Sequence, residues 1–295
     1  MIIAEIFAGL GNQMFQYAAA RAVAGQLGVP LKLNTNGFRS DALRQFELHH
    51  FRISAGIATD REIDAFMNPR ETVYERVVNR LKPAVQRRQV IREQHCRYEN
   101  ELAEATTHTY LFGHWQSEWY FRSQAAVIRR DFTFAQPAQG ANQAFEEQIR
   151  RTPNAVSLHI RRTDYLDHPL MYPCPVDYYQ AAIETVRART GTPHFFVFSD
   201  DPAWTRQHIR IPEPCGVTYV THNQRESSYE DLRLMRSCAH HIISNSTFAW
   251  WGAWLNASPG KLVVAPRQWF REGALWYNGE VADARDVLPE SWIKI

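Results

Sequence analysis

The chain has only four cysteines in 295 residues, and Cys96, Cys174, Cys215 and Cys238 stand far apart with no CxxC pair. A zinc ribbon or disulfide framework is thereby disfavoured, and a reducing compartment is the simpler reading. No window offers the roughly 18 uninterrupted apolar residues of a membrane-spanning helix. The opening Met1-Ile2-Ile3-Ala4-Glu5-Ile6 lacks the basic and long apolar regions of a secretory signal. A cytoplasmic protein is the expectation. Charge of one sign is missing too: 33 Lys and Arg face 31 Asp and Glu, a net of +2. That is too little to argue for nucleic acid, whereas a small anionic substrate depends on local charge alone. No Gly-x-Ser-x-Gly elbow, HExxH or GxxxxGKS occurs, so serine hydrolase, zincin and P-loop readings lack support.

What is present describes a soluble globular protein, 45% hydrophobic and 22% charged. The length suits two domains of roughly 150 residues. Residues 1–6 read as a short buried strand, and Gly9-Leu10-Gly11-Asn12 follows as a turn. Gln13 to Leu27 is helical in period and stops at Gly28-Val29-Pro30, and a strand resumes at Leu31: a βαβ unit. Strands are expected at 155–160, 194–199, 217–221, 240–244 and 261–265, with helices at 175–189, 202–208, 228–237 and 246–256. This alternation implies a parallel, doubly wound sheet. The Gln/Ala/Gly/Pro-rich stretch 135–143 marks the boundary, giving domains 1–140 and 141–295. Glu71 to Arg97 reads as helical around a break at Pro83 and carries seven Lys/Arg. A solvated helix face is the ordinary reading of such a run. Contact with anionic lipid or a lipid-linked substrate is the other.

Residues 156–165, VSLHIRRTDY, end an apolar strand with His159, Arg161, Arg162, Thr163 and Asp164. Two guanidinium groups at the carboxyl end of a strand, where open α/β sheets bind ligands, suit a diphosphate. Surface ion pairing with Asp164 and Asp167 is the plainer alternative. Gly9-Leu10-Gly11-Asn12-Gln13-Met14 lets the backbone turn tightly towards a ligand. It departs from the dinucleotide fingerprint, because Met14 replaces the third glycine and Asn34 stands where a ribose-binding acid would be sought. A mere tight turn fits as well, although Asn12 and Gln13 are costly polar residues there unless they bond something. Asp200 and Asp201 end another strand, where a carboxylate can accept from a ribose or base edge, or cap the helix at Pro202. Ser244-Asn245-Ser246-Thr247 opens a helix and can cradle an anion or serve as an ordinary cap. Trp250, Trp251 and Trp254 read as packing beneath it. The aromatic and polar run His114 to Phe121 suits stacking on sugars or a buried cluster, and Arg39 to Phe51 reads mainly as fold.

GLGNQMFQYA, HIRRTDY, FSDD and SNSTFAWWGAWL, in that order along nearly the whole chain, resemble glycosyltransferase family 11, the bacterial α-1,2-fucosyltransferases. The resemblance implies a GT-B fold: two Rossmann-like domains facing across a cleft, the first on the acceptor side and the second binding GDP-β-L-fucose. It implies metal-independent, inverting transfer to the 2-hydroxyl of a terminal β-galactoside, in glycan or O-antigen synthesis, with no cofactor. It further implies that Arg161 holds the β-phosphate with Arg162 in support, and that His159 and Asp200 contact guanine. Ser246 and Thr247 match the phosphate-side turn, flanked by Asn245 and Phe248, and Asn12 faces the reacting centre beside Gly11 and Gln13. Asp164 is expected at the donor or bracing the arginines. The carboxylate base of some distant fucosyltransferases has no match in Asp167-His168-Pro169-Leu170. Peripheral contact with the inner membrane or a lipid-linked glycan is a further expectation. Other acceptors, or GDP-sugar binding without transfer, are the alternatives.

Overall fold

Apolar runs and helical periods resolve, in a computed structural model, into two parallel sheets with helices packed on them. The structure describes residues 1–67, 77, 78, 80–224 and 227–295. The chain divides into two compact units, 1–135 with 285–287, and 136–284 with 288–295.

In the first unit β1 (Ile2–Glu5) runs into α1 (Leu10–Leu27) and returns through β2 (Leu31–Asn34). The helix is buried on almost every side, and its chain reverses at Gly28, whose φ of 64° is a left-handed conformation that glycine adopts without a Cβ penalty. β3 (Gly56–Ile57), α2 (Asp60–Met67), β4 (Arg88–Arg92), β5 (His108–Phe112) and α3 (Ala125–Asp131) complete the unit. The sheet order is β3-β2-β1-β5-β4, all parallel. Here the basic segment departs from expectation. Residues 71–76 and 79 lie outside the described residues, and 77, 78, 80 and 81 are helical as expected, but 88–92 form an edge strand. Exposure alternates along Arg88–Arg92 with the period of a strand, and the pairing to β5 over five residues overrides the helical reading there.

The second unit follows the expected order closely. It comprises α4 (Gly140–Arg151), β6 (Ala155–Ile160), α5 (Val176–Thr190), β7 (His194–Ser199), α6 (Pro202–His208), β8 (Gly216–Val220), α7 (Tyr229–Ser237), β9 (His240–Ile242), α8 (Thr247–Leu255) and β10 (Val263–Ala265). A short β11 (Ile293–Lys294), too brief to leave a pattern, adds an edge, giving the order β11-β10-β9-β6-β7-β8. β6 sits at the centre, and all six of its residues are buried. Covered on both faces, such a strand reads as a continuous apolar run, and its carboxyl end opens into the site. Trp250, Trp251 and Trp254 are buried within α8, with Trp250 and Trp251 edge to face at 4.9 Å. Gly252 lets this helix approach α7: a Cβ there would lie 2.9 Å from Met235 Cε.

Candidate active site

Where β6 ends, the chain turns sharply, and the second aspartate-bearing strand end holds that turn. Asp200 accepts from the Arg162 amide (2.9 Å), the Thr163 amide (3.0 Å) and the Thr163 hydroxyl (2.6 Å). Both carboxylate oxygens are therefore engaged on the turn itself, so Asp200 positions the arginines. Asp201 caps α6 by accepting from the Trp204 amide at 3.1 Å, and lies 3.4 Å from Arg162. The Arg162 guanidinium rests 4.7 Å from the Trp204 ring centroid, a cation–π contact that limits its freedom.

Arg161 presents one edge of its fork to Asp164, Nε to Oδ1 at 2.8 Å and Nη2 to Oδ2 at 2.7 Å. Its Nε also lies 3.4 Å from Asp200, and its Cζ lies 5.9 Å from the Tyr165 ring. Burial alone would lower its pKa, but the bonds to Asp164 and the charge of Asp200 carry it above the ordinary arginine value. The remaining nitrogen, Nη1, has no partner among the described residues. Of the two readings, Asp164 thus braces the arginine rather than standing ready for a ligand.

His159 is buried and shares a hydrogen bond with Ser244 Oγ at 2.9 Å. Burial, reinforced by the Arg161 charge, pushes its pKa down to about 3, so the imidazole is neutral at working pH. Phe248 lies 6.0 Å from it, ring to ring. Ser246 occupies the N-cap of α8 without a side-chain cap bond, leaving the amides of the first turn to other acceptors. Thr247 opens that helix. Asn245 departs from expectation. It is fully buried, donates to the Tyr172 and Trp269 carbonyls (2.9 Å each) and accepts from Cys174 Sγ (3.3 Å), so its side chain is an internal bracket. Tyr165, for which the sequence suggests no role, donates to the Asn245 carbonyl at 3.3 Å and flanks Arg161.

The other expected residues sit in the first unit, around the turn between β1 and α1. Gln13 is buried and spends its amide on this turn: Nε2 donates to the Ala8 and Gln45 carbonyls, and Oε1 accepts from the Glu47 amide (2.8–2.9 Å). It is a bracket rather than a ligand contact. Gly11 is buried in the first turn of α1. Asn12 Oδ1 accepts from Gln116 Nε2 at 2.8 Å. The segment 39–51, read as fold, also brings a cation here: the Arg44 guanidinium lies over Gly9, its Nη1 3.5 Å from where a Cβ would stand. Nothing in the sequence pattern singles out Arg44. Among the described residues, no three His, Cys, Asp or Glu side chains are grouped to hold a metal ion. None of the described helices is long and apolar enough to cross a membrane.

The chain that carries this arrangement, a cationic turn beside a neutral histidine and a helix start without a side-chain cap, is similar to known proteins. Residues 87–276 match the model for Glycosyl transferase family 11. An alpha-1,2-colitosyltransferase of Escherichia coli is 30% identical over 100% of this chain and 99% of its own. The O-antigen biosynthesis glycosyltransferase WbnK of Escherichia coli is 32% identical over 89% and 92%. Human galactoside alpha-(1,2)-fucosyltransferase 1 is 30% identical over 46% of this chain and 40% of its own. Among solved structures, the α-1,6-fucosyltransferase NodZ co-crystallised with GDP superposes with a TM-score of 0.51 at 16% identity, covering 85% of this chain and 90% of that one. Arabidopsis thaliana FUT1 in complex with GDP gives 0.51 at 12%, covering 90% and 70%. The fold is of GT-B type, and the chain belongs to glycosyl transferase family 11.

Proposed function

We propose that this glycosyltransferase moves L-fucose from GDP-β-L-fucose to the 2-hydroxyl of a terminal β-galactoside, with inversion, forming an α-1,2 linkage. The observation that carries this reading is the Arg161–Arg162 turn. Breaking the bond from the sugar to GDP leaves negative charge on the β-phosphate. A prepositioned guanidinium stabilises that charge without reorganising as it develops. Arg161 keeps Nη1 for this purpose while Asp164 fixes its plane, and Arg162 adds a second positive charge. The α8 start, with Ser246 and Thr247, supplies amides and hydroxyls to the same diphosphate. His159, neutral, offers its second ring nitrogen to the base, with Phe248 alongside. No metal and no cofactor is proposed. The basic segment that includes β4 is proposed to touch an anionic membrane surface, which would place the enzyme where lipid-linked glycans are built.

A second reading keeps the chemistry and changes the sugar. The relative matching the whole chain is named for colitose, which is L-fucose without its 3-hydroxyl. Purified protein is incubated with GDP-fucose or GDP-colitose and a panel of β-galactosides in EDTA, and products are identified by NMR. An α-1,2-linked fucoside is the expected product. Preference for GDP-colitose selects the second reading, and binding of GDP-sugar without turnover on any acceptor would sink transfer altogether.

A further inference from the structure

The loop after β5 carries the strongest unexplained feature of the first unit. Gln116 is 7% exposed. Its Nε2 is used on Asn12, but its Oε1 is buried with no hydrogen-bond partner. Buried side-chain oxygens are rarely left so, because an unmet acceptor forfeits its hydration. Asn12, for its part, has no partner for Nδ2 among the described residues. An acceptor and a donor are thus left over on two residues that are hydrogen-bonded to each other.

The backbone around them is held in uncommon conformations. Trp115 has φ 55° and Ala8 has φ 63°, the left-handed region that large side chains seldom enter. These two residues follow β5 and β1, which are neighbouring parallel strands, so both loops leave the sheet at the same carboxyl edge. The Trp115 loop is pinned in place: buried Glu93 accepts from the His114 amide (2.7 Å) and the Trp115 amide (2.9 Å), and Ser117 Oγ donates to the Asp286 carbonyl (2.7 Å). Strain held by such bonds is characteristic of ligand sites. The loop is built to hold Gln116 against Asn12 even though one oxygen goes unmet.

We infer that Gln116 and Asn12 form a sugar-hydroxyl subsite in which a hydroxyl of the acceptor glycan donates to Gln116 Oε1 and accepts from Asn12 Nδ2. A hydroxyl is donor and acceptor at once and meets both leftover groups, which a carboxylate or an ammonium cannot. His114, 9% exposed and edge to face with Phe7 at 4.9 Å, supplies an aromatic surface nearby. Gln116 therefore selects the acceptor and has no part in holding GDP. The inference rests on the proposed transfer to a galactoside.

Wild type and Gln116→Leu are compared with a β-galactoside and its monodeoxy analogues. One analogue is expected to cost wild type about 10-fold or more in kcat/KM, the scale of one lost hydrogen bond, and to cost Gln116→Leu less than about 2-fold. GDP affinity stays at its wild-type value. Thermal melts of Gln116→Leu guard against a folding artefact. Full discrimination in a folded Gln116→Leu, or a loss of GDP affinity matching the loss of activity, overturns the subsite. Galactoside binding followed by ligand-observed NMR separates the two ideas: a protein that binds galactoside through Gln116 without transferring sugar keeps the subsite and loses the proposed activity.

Discussion

Arg161 and Asp164 form a two-bonded pair at 2.8 and 2.7 Å, which fixes the plane of the guanidinium at the end of β6. Parallel bonds between a fork and a carboxylate are directional as well as strong. Arg161→Ala removes the charge proposed to meet the leaving diphosphate, and turnover should fall at least 100-fold, the scale of a lost transition-state partner. Arg161→Lys should recover little, because an ammonium cannot pair with Asp164 along an edge. Asp164→Ala should lower kcat about 10-fold with GDP affinity nearly unchanged, since Arg161 remains but wanders. Steady-state kinetics with GDP binding by calorimetry reads all three. Near wild-type turnover in Arg161→Ala would remove it from the leaving-group role.

Asp200 gives a different test, because both of its oxygens already accept from the chain. Asp200→Ala strands two amides and a hydroxyl, and a stability loss of about 2–4 kcal/mol is expected from their lost acceptor. GDP affinity should drop with it, as the arginine turn loosens. Asp200→Asn keeps one acceptor oxygen and should fall between. Denaturant melts paired with GDP titrations measure both. A variant of wild-type stability that fails only to bind GDP would return Asp200 to the guanine.

Sequence pattern conveyed the second unit well and the site only in outline. β6 and β7 were legible because strands covered on both faces become unbroken apolar runs, and the arginines stand at the end of one. β4 was not, since Arg88 and Arg92 stand four residues apart, a spacing that suits a helix face, until the pairing to β5 is known. Gln13 was legible as a polar residue that must bond something, Asp200 as a ligand contact or helix cap, and Asn245 as part of a cradle or cap. Whether the partner is ligand or backbone depends on distant carbonyls such as Gln45 and Trp269. Arg44 over Gly9 and the unmet oxygen of Gln116 exist only in three dimensions.

His159 predicts a pH effect of definite sign. Its pKa lies near 3 in the folded protein against an ordinary 6.5, so below pH 6.5 the unfolded chain takes up a proton that the native state refuses. Wild-type stability carried by this residue is complete above 6.5 and declines as pH falls towards 3. His159→Gln lacks this penalty. Relative to wild type, the variant should gain about 2 kcal/mol on going from pH 7.5 to pH 5. Urea unfolding at the two pH values decides it, and an unchanged difference would mean that His159 is protonated in the native state.

Charge is spread unevenly along the chain. Residues 77–97 hold six Lys/Arg and one carboxylate, Glu93, a formal +5 in a chain whose net is +2. Leu81 and Val85 are 80% and 49% exposed beside them. Cations guarding an edge strand account for Arg88 and Arg92, and Arg87 donates to the Lys82 and Arg80 carbonyls, but neither role covers Arg80 and Lys82, which precede β4 and stand among exposed aliphatics. Binding to phosphatidylglycerol vesicles, absent with phosphatidylcholine and weakened by salt, is expected. Arg80→Glu with Arg87→Glu should reduce it about 10-fold or more. Equal sedimentation with both lipids would make this a solvated surface.

Gly113 ties the acceptor loop to the sheet. A Cβ there would stand 2.4 Å from Glu93 Cβ and 2.8 Å from the Trp115 ring, contacts that real side chains do not make. Neither neighbour can yield cheaply, because Glu93 holds the His114 and Trp115 amides and Trp115 is buried. Gly113→Ala must therefore push the loop, at a cost of about 1–3 kcal/mol typical of overpacking. Its effect on function should be selective. Gln116 moves away from Asn12 and acceptor KM rises several-fold, whereas the Arg161 turn is built from residues of the other unit and GDP affinity holds. Thermal melts with separate acceptor and donor titrations measure this, and equal losses in both titrations would show that the loop does more than receive the acceptor.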